Sequence, residues 1–177
     1  MICSICGNPV NSVFSKFILG KYDCQYFQCT SCGFLHTEFP YWLEEAYSSA
    51  IASTDIGCAS RNVKLVKKVA PLLLEHFDTQ AKFLDYAGGY GLFVRLMRDR
   101  GFDFYWQDEY CNNLFAQYFE LSFLESTQRH FELVTGFEIM EHVRDPYQLL
   151  DKIFVYSDAF LFSTELQAQE ERLDSWW

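Results

Sequence analysis

From residue 61 onward the chain alternates short apolar runs with helical stretches, and no other feature limits its fold as strongly. "RNVKLVKKVAPLLLEHF" puts Val63, Val66, Val69, Leu73 and Phe77 at three- and four-residue spacing, one face of an amphipathic helix that Pro71 is expected to bend. "KFLDY", "FDFYWQ", "FELVTGFE" and "AFLFSTE" are apolar runs of strand length. Between them lie "LFVRLMRDRG", a helix closed by Gly101, then "NNLFAQYF", a short helix, and "DPYQLLDKIFVYS", a helix with Pro146 in its first turn. A helix between two strands carries the chain back to the same end of the sheet, so that successive strands run parallel. The expected fold is therefore α/β, a parallel sheet with helices on both faces.

The first 40 residues follow another logic. They are rich in aromatics and turn formers, and they hold two matched pairs, "CSICG" and "CTSCG". Two residues between cysteines let both sulfurs face one ion, and the following glycine lets backbone amides point at the thiolates. Cys3, Cys6, Cys29 and Cys32 give C-x2-C, 22 intervening residues and C-x2-C. That loop slightly exceeds the usual spacing of about 15–20 and leaves room for a hairpin. The expectation is a structural tetrahedral Zn2+ site with four protein sulfurs, no open position and no chemistry of its own. Cys24 is a poorer fifth candidate, Cys58 and Cys111 suit small core positions, and His36 suits packing better than ligation.

Net charge is −10, spread unevenly: residues 1–70 carry +1 and residues 71–177 carry −11. An acidic body repels phosphate backbones, so no nucleic-acid partner is expected. No run nears the roughly 18 apolar residues of a membrane span, and no leader pattern precedes Cys3, so a cytoplasmic protein away from membranes is expected. A reducing compartment also favours metal ligation over disulfides for seven cysteines, four of them in tight pairs.

"FLDYAGGYGLF" is a strand ending in Asp85, a turn through Ala87, Gly88, Gly89, Tyr90 and Gly91, and then a helix. Glycines there let backbone approach a ligand lying across the strand ends. A dinucleotide fingerprint starting at Gly89 and Gly91 needs glycine at position 94, which is Val94, so the nicotinamide oxidoreductase reading weakens. The second strand ends at Asp108 and Glu109, and Asp108 follows Asp85 by 23 residues, near the roughly 20 expected of an acid that takes ribose hydroxyls.

These stretches resemble class I S-adenosylmethionine-dependent methyltransferases. Asp85, Gly89 and Gly91 match the motif D-x-G-x-G-x-G in register, with Ala87 in place of the first glycine. "FELVTGFEIMEHVRDP" is similar to the family's fourth-strand segment through Glu138, Glu141, His142, Asp145 and Pro146, with Glu132 where aspartate is usual. The resemblance covers about residues 62–166 and, with the cysteine knuckle, is similar to the sugar C-methyltransferase subgroup, where the knuckle belongs to the substrate-binding side.

The resemblance implies a Rossmann-like doubly wound sheet. It implies that Asp85 with Ala87, Gly88, Gly89 and Gly91 positions the amino-acid part of S-adenosylmethionine, that Asp108 with Glu109 positions the ribose, and that Phe137 with Glu138 lines the strand end. For the proton acceptor the sequence offers His142, whose ordinary pKa near ~6.5 suits neutral pH, with Glu141 to orient it. Tyr90, Tyr110 and Tyr147 can also reach a substrate.

The expected organisation is a zinc knuckle over residues 1–40, a connector over 41–60 and a methyltransferase domain over 61–177. The family sheet has seven strands and five are expected here, so the sheet reads as incomplete towards its C-terminal side, to be completed by self-association or a partner chain. Trp176 and Trp177, if exposed, would offer an apolar contact. Two functions follow: a methyltransferase acting on a small molecule, with a sugar or sugar nucleotide as the class the resemblance suggests, or a zinc-containing scaffold that keeps the fold without turnover.

Overall fold

The computed structural model describes residues 1–46, 56–143 and 145–166. The connector expected over 41–60 lies partly outside them, and Trp176 and Trp177 lie wholly outside. The described residues form two compact units. One holds residues 1–46 with 143, 145–147 and 165–166, and the other holds 56–142 and 148–164.

The first unit is an antiparallel sheet in the order β1-β2-β3, from β1 (Val10–Ile18), β2 (Tyr22–Cys29) and β3 (Leu35–Thr37). Lys21 N–H donates to Ile18 O at 3.1 Å, and Leu19 (φ 53°) and Gly20 (φ 68°) occupy the two central turn positions. Two left-handed residues make the turn whose twist matches a hairpin. Phe14 stacks on Tyr26 across the pair at 4.5 Å, and Cys24 is buried beneath it. His36 packs beside Phe27 and Phe34, each 5.8 Å away, in keeping with a packing role. A single helical turn, α1 (Leu43–Ala46), follows the buried Trp42.

The second unit opens with α2 (Cys58–His76), which buries Val66, Val69, Ala70 and Leu73. Val63 is exposed and Ala70 takes a place on the buried face. The helix runs as one element through Pro71, whose exposed position leaves the freed carbonyl of Lys67 to solvent. Four parallel strands follow in the order β5-β4-β6-β7: β4 (Lys82–Tyr86), β5 (Asp103–Gln107), β6 (Leu133–Phe137) and β7 (Phe160–Ser163). Of the five strands expected, four are found among the described residues; one isolated parallel bridge, Trp106 with Glu120, adds to the outer side of β5. α3 (Leu92–Arg98) and residues 148–154 of α4 (Pro146–Phe154) complete the unit, and Pro146 takes the first position of α4 as expected.

The helix expected over 112–119 is absent. Asn113 Oδ1 accepts from Ala116 N at 2.8 Å, its Nδ2 donates to Ala116 O at 2.7 Å, and the amides of Leu114 and Phe115 both go to Tyr90 O at 3.0 Å. Those amides and that carbonyl are unavailable to a helix, which is how asparagine diverts a chain with reasonable helical composition into a turn.

The core is built on the face of β4 that carries Phe83. Phe83 and Phe104 stack at 5.1 Å, Phe93 of α3 meets Phe104 edge-on at 5.5 Å, and Val66, Leu73 and Met97 close over them. Side chains alternate along a strand, so Asp85 shares the face of Phe83. The apolar core thus ends in a carboxyl group.

Candidate functional site

Two constellations emerge, one in each unit. In the first, the Sγ atoms of Cys3, Cys6, Cys29 and Cys32 all lie within 4.8 Å of one another. The two knuckles repeat one geometry. Gly7 N–H donates to Cys3 O at 3.0 Å and Gly33 N–H to Cys29 O at 3.3 Å, with φ of 72° and 76° that only glycine adopts without strain. Amides then face the sulfurs: Ile5 N is 3.4 Å from Cys3 Sγ, and Ser31 N and Cys32 N lie 3.4 and 3.5 Å from Cys29 Sγ.

Such donors favour thiolate. The Asn8 side-chain amide pulls Cys6 down to about 6, and the Cys32 amide lowers Cys29. Cys32 is pushed up to about 12 by desolvation and the three neighbouring thiols, against the pull of the Phe34 amide. Three of the six sulfur separations are 3.5–3.7 Å and all lie within 4.8 Å, near the edge of about 3.8 Å that a tetrahedron with bonds near ~2.3 Å requires. The donor set can hold a metal ion.

The second constellation sits where the carboxyl ends of β4, β5 and β6 meet. The chain leaves β4 for β5 on one side and later enters β6 on the other, and the gap at such a reversal is where doubly wound sheets bind ligands. Asp85 at the end of β4 is 3 % exposed and accepts from Thr135 Oγ1 of β6 at 2.7 Å. Burial pushes its carboxyl up to about 7, the Thr135 hydroxyl opposes this, and the charge of Asp108 adds to it.

The glycine turn follows. Ala87 is left-handed at φ 58°, the conformation that makes glycine usual at that place. Gly88 has no room for a side chain, because a Cβ there would lie 2.8 Å from both Asp85 Oδ2 and Trp106 Cδ1. Gly89, at φ 55°, faces open space. Gly91, at φ 82°, packs against Asn113 and Ala116.

Asp108 is tied to this turn. Its Oδ2 accepts from Gly89 N at 2.9 Å and its Oδ1 from the amides of Tyr110 and Cys111 at 2.8 Å, and the Cys111 thiol also donates to this carboxylate. Trp106 Nε1–H donates to Gly89 O at 2.8 Å, so both polar groups of Gly89 are fixed by the end of β5. A family model described as a methyltransferase domain matches residues 59–177. The chain belongs to this methyltransferase family. No curated protein matches the chain.

S-adenosylmethionine is the methyl donor general to this family, and the methyltransferase's own groups fit it. Asp85 is a buried carboxyl that no cation among the described residues pairs with, chemistry suited to an ammonium group, and Gly89 presents open backbone beside it.

The remaining anticipated residues lie around the same edge. Phe137 packs edge-on against Phe93 at 4.9 Å. Glu138 is left-handed at φ 56°, its amide donates to Ser163 O and Oγ at 3.2 Å, and Ser163 Oγ donates to Glu138 Oε1 at 2.6 Å. Glu141 lies on a 3-10 turn (Met140–His142) and accepts from Thr164 Oγ1 at 3.0 Å, while His142 of that turn is exposed. Glu109 is directed outward to Lys152, 3.5 Å away. Sequence reasoning passed over Trp106, Thr135, Ser163 and Thr164. A threonine inside the apolar run "LVTGF" was the one available signal. No helix among the described residues is long and apolar enough to cross a membrane.

Proposed function

We propose that the chain is an S-adenosylmethionine-dependent methyltransferase of a small molecule, with a sugar or sugar nucleotide as the acceptor class, and that a structural zinc ion folds its cysteine knuckle. The observation that carries this reading is the junction of Asp85, the glycine turn and Asp108 at the reversal point of the sheet. Bound there, the donor supplies an electrophilic methyl group on a sulfonium. In this reading Asp85 pairs with the donor's ammonium group, and the backbone at Gly88 and Gly89 lies along its amino-acid part. The carboxylate of Asp108, with Glu109 beside it, takes the ribose hydroxyls. Phe137 and Glu138 wall the cleft.

Alignment supplies much of the rate of such a transfer, and the remaining task is removal of the acceptor's proton. His142, exposed beside Glu141, takes that proton. A cytosolic setting keeps the four thiols reduced for the metal.

A calorimetric titration of the metal-loaded chain tests the reading. Saturable one-site binding of S-adenosylmethionine and S-adenosylhomocysteine, with none of NAD, is expected. A folded chain that binds neither is a scaffold, a reading to which the strained Ala87 lends weight.

A further inference from the structure

Asp85 and Thr135 form the most deeply buried polar pair in the sheet. They are register partners across β4 and β6, 3 % and 0 % exposed, with the hydroxyl 2.7 Å from Asp85 Oδ1. A second acceptor for that hydroxyl, Leu84 O, lies farther off at 3.4 Å. Charge around the pair is negative or engaged elsewhere. Asp108 at the end of β5 acts on Asp85 directly, with the Cys111 thiol beyond it, and Glu138 past β6 is held by Ser163. Asp103 at the start of β5 pairs with Arg98 of α3 at 2.6 Å, and Arg95 of α3 pairs with Asp99 at 2.9 Å. α2 turns Lys64, Lys67 and Lys68 to solvent. Among the described residues, the hydroxyl of Thr135 is thus the group that favours the ionised form of Asp85.

Resting on the function proposed above, we propose that Thr135 is a positioning residue of the methyl-donor site: its hydroxyl fixes the orientation and the charge of Asp85, so that donor binding is linked to loss of the Asp85 proton. Thr135 touches no donor atom in this scheme. It acts by donating to one carboxylate oxygen, which leaves Oδ2, on the Gly88 side, to meet a cationic amine. A valine of nearly the same shape keeps the packing and removes only the donor, whereas serine restores it.

The test is calorimetric titration of the full chain with S-adenosylhomocysteine between about pH 5.5 and about pH 9, for wild type, Thr135→Val and Thr135→Ser. Carbon-13 NMR of the Asp85 carboxyl without ligand accompanies it. A hydrogen bond to a charged group has a strength that corresponds to about one to two pH units. The affinity midpoint and the carboxyl titration of T135V should both move up by that amount, with binding at pH 7 weakened about five- to fiftyfold, while T135S stays with wild type. An unmoved midpoint, affinity lost equally at every pH, or a serine variant that behaves like valine overturns the inference. So does a wild-type affinity that is independent of pH, and in that case the methyl-donor reading survives. A folded wild type that binds no S-adenosylhomocysteine at any pH removes the methyl-donor reading itself, and this inference with it.

Discussion

Gly88→Ala probes the junction with a single carbon. The new Cβ would lie 2.8 Å from Asp85 Oδ2, 2.8 Å from Trp106 Cδ1 and 3.2 Å from Trp106 Nε1. Neither neighbour yields easily. Asp85 is 3 % exposed and tied to Thr135, and Trp106 is 8 % exposed with its indole N–H on Gly89 O. Moving the indole costs overpacking strain of about 1–3 kcal/mol and a hydrogen bond of about 1 kcal/mol. Alanine recovers roughly 0.4–1 kcal/mol by restricting the unfolded chain, so a net loss of about 2–3 kcal/mol is expected. Gly89→Ala is the control, because its Cβ meets nothing within 4 Å and only the left-handed backbone is strained, a net cost of about 1 kcal/mol or less. Urea denaturation of both variants should place G88A below G89A by about 1–2 kcal/mol at equal m-value. If G88A proves as stable as G89A, the packing of Asp85 and Trp106 against the turn is refuted.

Ala87→Gly exchanges left-handed strain of about 1–2 kcal/mol for unfolded-state entropy, and should raise the urea midpoint by the equivalent of about 0.5–1 kcal/mol. Chelation of a zinc-loaded chain should release a single ion and abolish the antiparallel β1-β2-β3 signals in NMR while those of the parallel sheet persist; retention of both sets would show that the four thiols do not fold the first unit. Asp85 keeps its proton to about pH 7 when folded but only to about pH 4 when unfolded, so its contribution to stability is complete below about pH 4 and declines by as much as about 4 kcal/mol as pH rises to about 7. Wild type should therefore lose stability relative to Asp85→Asn across that window and run parallel to it above, as read from denaturation midpoints.

What was legible in the sequence is what a local pattern encodes. The four thiols converge because C-x-x-C-G carries its own geometry in the amides and in a left-handed glycine, and the strands emerge because apolar runs of that length must be buried. "NNLFAQYF" misled because Asn113 spends both of its polar atoms on Ala116, which residue counting cannot register. Val63 misled because spacing names a helical face but not where the neighbouring sheet ends. Thr135, Ser163 and Thr164 were illegible for a related reason. Each acts across to a carboxylate on another element, and the register that brings Thr135 to Asp85 is set by pairing between residues 50 positions apart.

The same hydroxyls bear on which ligand the crevice can take. Asp85 is held by Thr135, Asp108 by three backbone amides, Glu138 by Ser163 and Glu141 by Thr164, and each of these partners is a neutral donor. Neutral donors orient a carboxylate without cancelling its charge. Glu109 lies 3.5 Å from a cation, Lys152, and that pair is half exposed. The carboxyl end of the sheet thus presents oriented negative charge, which would repel a pyrophosphate at the turn where dinucleotide-binding folds seat one. Val94, in place of the third glycine of that fingerprint, belongs to the same outcome: it is fully buried in the core of α3. A ligand carrying an ammonium and a sulfonium meets such an edge favourably, and the attraction strengthens as Asp85 ionises. Donor affinity should consequently weaken with added salt and with falling pH, whereas a phosphate ligand would gain from lower pH.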